Sequence, residues 1–279
     1  NLLVATPMVA GHAFSVNNLG LTMLAFLSFS IIASSVYVLN DLLDLNSDRK
    51  HRSKKNRAYA AGDIDIRSAF IVIPILLVAG FLVASLIGTS FTLIVAAYFG
   101  ATCWYSLSLK RKPIVDIIVL ASLFTLRILA GGVATDISVS LWLIAFSVFI
   151  FFFLAAVKRY TELTRISPVV KNESHMTVSG RGYYPSDAVI IQQFSVVSGL
   201  ISVLIFALYI NVDTVQVLYS NQSILWGACF ILLYWVTYIL LVTHRGNMTD
   251  DPIIFALTDR TSLLSLTLIG TFALLASFI

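Results

Sequence analysis

Eight long apolar stretches, each close to the length of a membrane-spanning helix, constrain this sequence more than any other feature. A helix needs about 20 consecutive apolar residues to cross the hydrocarbon core of a bilayer. The stretches do not alternate polar with apolar residues, as the strands of membrane β-barrels do. We therefore predict an all-α polytopic membrane protein. The predicted spans lie near Leu19–Leu39, Ala69–Ile87, Phe91–Leu109, Ile114–Ala134, Ser140–Val157, Ala188–Ile210, Ile224–Thr243 and Leu263–Ile279.

The composition excludes disordered, fibrous and ordinary soluble proteins. Of the 279 residues, 58% are apolar and 11% are charged, whereas roughly a quarter of the residues in a soluble domain are charged. Cys103 and Cys229 both lie inside apolar stretches. We expect them to be buried free thiols rather than parts of a disulfide or a zinc site.

The opening segment Leu2–Phe14 is also apolar but is shorter, and the sequence begins at Asn1 without a methionine. We interpret this segment as the remainder of a ninth span whose start is missing. The expectation is a single transmembrane domain over residues 1–279 with an incomplete N-terminus. Whether a further segment or a soluble domain precedes Asn1 is left open.

The basic residues predict the topology. Of the 18 lysines and arginines, 17 lie in four alternate loops, and the loops between them contain none. Because positive loops stay in the cytoplasm, we expect the four basic loops on the cytoplasmic side of the membrane. The remaining cation, Arg127, lies within a span, where it either pairs inside the bundle or faces a cavity.

An acidic motif begins where the first of the eight spans reaches the cytoplasm, and it reads Asn40-Asp41-Leu-Leu-Asp44-Leu-Asn-Ser-Asp48. On a helix, positions i, i+3 and i+7 share one face, so the three carboxylates and Asn40 lie together. Oxygen ligands at this density suit Mg²⁺, which keeps waters and bridges carboxylates to a substrate phosphate. The alternative is a solvated helix end with ordinary surface acids.

Basic residues follow the acidic motif at once, from Arg49 to Arg57. Lysine and arginine bind the phosphate oxygens that a metal leaves exposed, so Lys54 and Arg57 are candidate phosphate contacts. The same residues also fit a patch that sets topology or binds lipid headgroups.

The motif Asn40–Asp48 resembles the NDxxDxxxD motif of the UbiA superfamily of intramembrane prenyltransferases, and the resemblance covers the whole chain. It implies a nine-helix bundle around a central cavity that opens to the cytoplasmic side. Most members use Mg²⁺, held by two acidic motifs, to bind an isoprenyl diphosphate and move the prenyl group to an acceptor.

The second acidic motif of ordinary members is replaced here by Lys158-Arg159-Tyr160-Thr161-Glu162. This variant is similar to the decaprenyl-phosphate phosphoribosyltransferase branch of the superfamily. Other matching segments are Ser34–Asp41, the basic spacing of His51, Lys54 and Arg57, the run Leu126–Gly131, and Gly180-Arg181-Gly182-Tyr183. Arg52 and Ala58 depart from the branch, because prolines are usual there.

The resemblance implies transfer of a 5-phosphoribosyl group from 5-phosphoribosyl 1-diphosphate to a polyprenyl phosphate, with release of diphosphate. It suggests Asp41, Asp44 and Asn40 as catalytic residues, and Asp41, Asp44 and Asp48 as Mg²⁺ ligands. The expected substrate-binding residues are Lys54, Arg57, Lys158, Arg159, Tyr160, Glu162, Arg181, Tyr183 and Arg127. Asp116 fits either helix N-terminal stabilisation or the rim of the active site. The residues that flank the last span fit either a surface loop with a helix cap or, for one or two of them, a position facing the cavity; they are Asp250, Asp251, Asp259 and Arg260.

Two other functions stay open. One is a prenyltransferase that acts on an aromatic or quinone precursor, which shares the fold and the first motif. The other is a transporter or lipid-binding membrane protein, although transporters place their sites nearer the membrane midplane. We expect membrane lipids as partners and no nucleic acid, and the sequence leaves a homo-oligomer open.

Overall fold

The computed structural model describes residues 1–49, 54–166 and 182–278, and all regular secondary structure within them is helical. Eight of the helices are long and apolar enough to cross a membrane. We number these eight in chain order: α1 is Val16–Leu43, α2 Ile66–Ile87, α3 Thr89–Leu107, α4 Val115–Thr135, α5 Leu141–Ile166, α6 Ala188–Ile210, α7 Leu225–His244 and α8 Arg260–Phe278.

Shorter helices connect the long ones. The short α-helices are Thr6–Ala10, Leu45–Asp48, Ala58–Ala61, Asp213–Leu218 and Pro252–Thr258. The 3-10 helices are Leu2–Ala5, Lys54–Asn56, Leu109–Arg111, Pro185–Asp187 and Gln222–Ile224.

The eight predicted spans are confirmed, with ends that differ by a few residues. The largest difference is at α5, which continues to Ile166 instead of ending near Val157, so the Lys158–Glu162 segment is helical. The opening segment forms only the short helices Leu2–Ala5 and Thr6–Ala10. The count of nine spans, the central cavity, its cytoplasmic opening and the single-domain organisation therefore stay predictions.

The chain divides into two compact units, and each is described by itself. The first contains Asn1–Lys112 and Leu126–Val139, and the second contains Pro113–Thr125 and Ser140–Ile279.

In the first unit, α1 packs closely against α2 and α3. The Ser28 hydroxyl donates to the Gly80 carbonyl oxygen at 3.0 Å, and a Cβ added at Gly80 would lie 2.7 Å from Ile32. Phe29 makes edge-to-face contacts with Phe91 and Tyr98, with ring centroids 5.9 and 5.0 Å apart. Small residues therefore let the helices approach, as is usual inside membranes.

The opening segment packs on the second half of α4. A Cβ added at Gly131 would lie 2.0 Å from the carbonyl oxygen of Val4, which is 1% exposed. Only glycine lets the two backbones approach this closely.

In the second unit, α5 packs against α6 and α7. A Cβ added at Gly199 of α6 would meet Val236 at 2.8 Å and Phe153 at 3.0 Å. Phe153 also lies edge-on to Trp235, with ring centroids 6.4 Å apart. A second apolar cluster joins the starts of α4 and α6 to α5, and its fully buried members are Ile117, Ala156, Leu163, Tyr183 and Ile191.

Candidate active site

The acidic motif keeps its helical spacing through the end of α1. Asp44 is the C-cap residue of α1, with φ −97° and ψ 5°. The Asp44 N–H donates to the Asn40 carbonyl at 2.9 Å, and the Asp48 N–H donates to the Asp44 carbonyl at 2.8 Å. Bonds of the i to i−4 type therefore continue past the cap, and Asp41, Asp44 and Asp48 follow one another at helical spacing.

Arg57 joins two of the three carboxylates. Its Nη1 lies 2.9 Å from Oδ1 of Asp41 and 2.9 Å from Oδ2 of Asp48. The Asp48 side chain is only 4% exposed, whereas that of Arg57 is 42% exposed. A buried carboxylate needs such a partner, because desolvation of an unpaired charge costs several kcal/mol.

The third carboxylate has a different cation. Nζ of Lys110, which follows α3, lies 2.7 Å from Oδ1 of Asp44. The side chain of Lys110 is 12% exposed and that of Asp44 is 39% exposed. Sequence analysis did not single out Lys110 as a site residue, because 66 residues separate it from Asp44.

The oxygen atoms of this motif suit a divalent cation that is shared with substrate. The buried Asn40 Oδ1 has no hydrogen-bond partner among the described residues, next to three carboxylates. No group of three or more His, Cys, Asp or Glu within the described ranges is arranged to hold a metal ion by itself. Mg²⁺ in proteins is commonly held by one or two carboxylates, several waters and substrate phosphates, so a metal ion here would also need ligands from water or substrate.

In the second unit, the Lys158–Glu162 segment places Arg159 in a buried ionic cluster. Arg159 is 1% exposed and Asp116 of α4 is fully buried. Nη2 of Arg159 lies 2.5 Å from Oδ2 of Asp116, and Nη1 contacts the Glu162 carboxylate. Arg159 Nη2 and Asp116 Oδ2 do not form a hydrogen bond in spite of this short distance, so the contact between them is mainly Coulombic.

Tyr183 completes this cluster. Its hydroxyl donates to Oδ1 of Asp116 at 2.5 Å and accepts the backbone N–H of Ile114 at 2.7 Å. The guanidinium carbon of Arg159 lies 5.6 Å from the Tyr183 ring centroid. Burial, followed by the bond to Asp116, raises the pKa of Tyr183 far above its usual range. The phenol is therefore a hydrogen-bond donor and not a base.

The remaining cations at the end of α5 bind a loop after α7. Nζ of Lys158 lies 2.7 Å from Oδ2 of Asp251, and Arg165 contacts the Asp250 carboxylate and the Met248 carbonyl. Oδ1 of Asp251 accepts the N–H groups of Ile253 and Ile254 at the start of Pro252–Thr258. The helix cap expected near Asp250 and Asp251 is thus formed by Asp251.

The intramembrane Arg127 has partners in the first unit. Its Nη2 donates to the Tyr98 hydroxyl at 2.6 Å and its Nε donates to Oδ1 of Asn1 at 3.0 Å. The guanidinium carbon also lies 4.8 Å from the Tyr98 ring centroid. These contacts favour the structural alternative for Arg127, since a cation within a span needs partners of this kind.

Three other predicted site residues have different outcomes. Tyr160 packs, partly buried, against the apolar cluster that contains Tyr183. Lys54 begins a 3-10 helix, but its side chain lies outside the described part. Arg181 lies outside the described residues altogether.

Comparison with known proteins identifies the family. Residues 2–261 match the model of the UbiA prenyltransferase family. The structure also resembles that of a UbiA homolog from Archaeoglobus fulgidus bound to DMAPP and Mg²⁺, with a TM-score of 0.71 and 16% identity, over 98% of this chain and 93% of that one.

Three sequence relatives are more similar. The uncharacterized protein y4nM of Sinorhizobium fredii is 37% identical over 94% of this chain and 50% of its own length. Nodulation protein NoeC of Azorhizobium caulinodans is 32% identical over 86% of this chain and 77% of its own length. A decaprenyl-phosphate phosphoribosyltransferase of Mycobacterium tuberculosis is 35% identical over 58% and 55%. The chain thus spans about half the length of the first and third of these relatives, and it belongs to the UbiA prenyltransferase family.

Proposed function

We propose that this protein transfers a 5-phosphoribosyl group from 5-phosphoribosyl 1-diphosphate to a polyprenyl phosphate. Family membership makes it a multi-pass membrane transferase. The donor is suggested by the mycobacterial relative of that name, which is 35% identical over 166 residues. The one-sided distribution of basic residues supports a cytoplasmic site, and the bacterial relatives support a bacterial inner membrane.

The observation that carries the proposal is the burial of Arg159 between Asp116 and Glu162. The resemblance places a second pair of metal-binding acids here in ordinary prenyltransferases. In this chain one acid of that segment remains, Glu162, whose side chain is 30% exposed, and the buried Arg159 contacts it as well as Asp116 of α4. This arrangement supports a reaction with fewer metal ligands than ionisation of a prenyl diphosphate needs.

The proposed reaction forms a bond between a phosphate oxygen of the polyprenyl phosphate and C1 of the pentose. The bond from C1 to the diphosphate oxygen breaks, and its electron pair leaves with the diphosphate. The nucleophile needs no strong base, because the second pKa of a phosphate monoester is about 6. The protein must instead stabilise the leaving diphosphate and the positive charge at C1.

The acidic motif is the proposed metal site. Asp41, Asp44 and Asp48 would hold Mg²⁺, which neutralises the leaving diphosphate when it is bound. Oδ1 of Asn40, which has no hydrogen-bond partner among the described residues, can accept a hydroxyl hydrogen of the pentose. Arg57, whose side chain is 42% exposed at the edge of the motif, can reach a phosphate oxygen.

The proposal limits the roles of the other cations that were predicted to bind substrate. The side chain of Lys158 is 33% exposed and pairs with Asp251, so a substrate phosphate would compete with the Asp251 carboxylate for Lys158. Arg159 is too buried, and too close to two carboxylates, to be a favourable phosphate contact. Lys54 and Arg181 stay predictions as phosphate ligands.

The second candidate function is prenyl transfer to an aromatic or quinone precursor. Its support is membership of the UbiA prenyltransferase family, and the archaeal homolog with a similar fold is bound to DMAPP and Mg²⁺. Membership of a transferase family favours either reaction over a transporter.

A comparison of donors in one preparation tests the proposal. The purified protein receives Mg²⁺ and a polyprenyl phosphate, with either labelled phosphoribosyl diphosphate or a labelled prenyl diphosphate and an aromatic acid. We expect label from the first donor in the lipid phase, and no such product from an Asp44→Asn variant. Transfer only from the prenyl diphosphate would contradict the proposal and favour the second function.

A further inference from the structure

We infer that Arg57 and Lys110 are internal counter-ions of the acidic motif, and that a divalent cation has to displace them from the carboxylates in order to bind there. The inference rests on the metal site of the proposed function and names the residues that set the affinity of this site for metal. All the residues involved belong to the first compact unit.

Each of the three carboxylates already contacts a cation of the chain. Nη1 of Arg57 donates to Oδ1 of Asp41 and to Oδ2 of Asp48, both at 2.9 Å. Nζ of Lys110 donates to Oδ1 of Asp44 at 2.7 Å. Charge-assisted hydrogen bonds of this length are among the stronger polar contacts in proteins. Oxygens that could coordinate a metal ion are therefore engaged by N–H donors.

The nitrogen of Arg57 occupies the space between two of these acids. It contacts one oxygen of Asp41 and one of Asp48. A nitrogen and a metal ion cannot both occupy that space. A divalent ion at the other carboxylate oxygens would meet the guanidinium at short range, and the two positive charges would repel each other. Metal binding and the Arg57 contact therefore oppose each other.

The burial of Asp48 turns this opposition into an exchange. The side chain of Asp48 is 4% exposed, whereas that of Arg57 is 42% exposed. An unpaired charge is strongly destabilising in a buried position, so Asp48 needs a cation beside it. Arg57 remains partly hydrated and can leave at a smaller cost. Asp48 therefore exchanges Arg57 for the metal ion and is not left without a counter-ion.

Lys110 opposes metal binding at the third acid for a different reason. Here the cation is the more buried partner, because the side chain of Lys110 is 12% exposed and that of Asp44 is 39% exposed. An ammonium group is strongly hydrated in water and has only donors. Loss of the Asp44 oxygen would leave it poorly solvated. Lys110 should therefore lower the metal affinity more than an exposed lysine nearby does.

Metal titration tests the role of Lys110. Mn²⁺, which prefers the same oxygen ligands as Mg²⁺, is added to the purified protein without any donor, and free Mn²⁺ is measured by electron paramagnetic resonance. We expect Lys110→Met to raise the affinity by about fivefold, because a competing ion pair is removed. Lys112→Met removes the same charge from an exposed position two residues away. This control should change the affinity by less than about twofold, because solvent and salt screen an exposed charge.

Thermal unfolding tests the exchange at Asp48. Arg57→Ala leaves that buried carboxylate without its arginine, and a bound metal ion would replace the lost counter-ion. Saturating Mn²⁺ should therefore raise the Tm of Arg57→Ala by about 2–4 °C more than it raises the Tm of the wild type. Arg67→Ala, which removes an exposed arginine of the same unit, should respond to Mn²⁺ as the wild type does.

Three results would overturn the inference. The first is equal Mn²⁺ affinity in Lys110→Met and Lys112→Met, with Lys110→Gln as the second variant if Lys110→Met does not fold. The second is an equal Mn²⁺ shift in Arg57→Ala and the wild type. The third is the absence of Mn²⁺ binding in the wild type and in every variant. No donor is present in these measurements, so transfer from a prenyl diphosphate in the donor comparison would refute the proposed function and leave the counter-ion exchange standing.

Discussion

Arg57 lies 2.9 Å from the carboxylate of Asp48, which is buried although it belongs to a motif of charged residues at a helix end. The same Arg57 nitrogen also contacts Asp41. One exposed cation thus fixes two of the three acids in the proposed metal site.

Removal of Arg57 should destabilise the fold through Asp48. We expect Arg57→Ala to cost about 1–2 kcal/mol, because the buried carboxylate loses its cation while the exposed arginine itself contributes little. Asp48→Asn in that background should recover part of the loss. Thermal unfolding of the single and double variants in detergent measures both effects, and strictly additive losses would contradict the coupling.

Loss of one motif acid should abolish most of the activity. We expect Asp41→Asn or Asp44→Asn to lower turnover by about 100-fold or more, as removal of a group that stabilises transition-state charge does. Asp63→Asn changes a nearby exposed acid and should leave turnover intact. Full turnover of both motif variants would refute the metal site.

A methyl group at Gly131 should displace the opening segment. Gly131→Ala places a Cβ 2.0 Å from the Val4 carbonyl oxygen, and overpacking of this kind costs about 1–3 kcal/mol. Gly100→Ala is the matched control, since its Cβ meets nothing within 4 Å. In a helix that change should be neutral or stabilising by up to about 1 kcal/mol. Equal melting temperatures for the two variants would contradict the close approach.

Tyr183 should stay protonated at alkaline pH. Because the pKa of Tyr183 is raised in the folded state, its phenol loses the proton at a higher pH in the folded protein than in the unfolded chain, where tyrosines ionise at about pH 10. The stabilising contribution is therefore complete below about pH 10 and is lost as the pH rises toward the folded pKa. In an ultraviolet titration, the wild type and Tyr183→Phe should show equal phenolate absorbance at about pH 10. An extra step in the wild type would contradict this.

The basic loops should be cytoplasmic. A cysteine placed at Ser108, in a background without Cys103 and Cys229, should resist an external impermeant reagent in intact cells and react after lysis. Labelling in intact cells would contradict the predicted topology.

The sequence predicted the helices well because hydrophobic length is a local signal. It predicted that Asp41, Asp44 and Asp48 are neighbours, since helical spacing fixes that relation. It could not predict that Lys110 binds Asp44 or that Asp251 binds Lys158, because these pairs depend on tertiary packing. For the same reason it could not predict that Arg159, which is expected to bind substrate, lies buried beside Asp116.

The ion pairs of this protein differ in how far water reaches them. Arg57 and Lys158 are partly exposed, so dissolved salt screens their attraction to the neighbouring acids. Arg159 and Asp116 are almost fully enclosed, and mobile ions screen such a pair much less. Raising the ionic strength should therefore loosen the contacts of Arg57 and Lys158 while the Arg159 cluster keeps its geometry. The protein thus combines salt-sensitive and salt-resistant electrostatics in one chain.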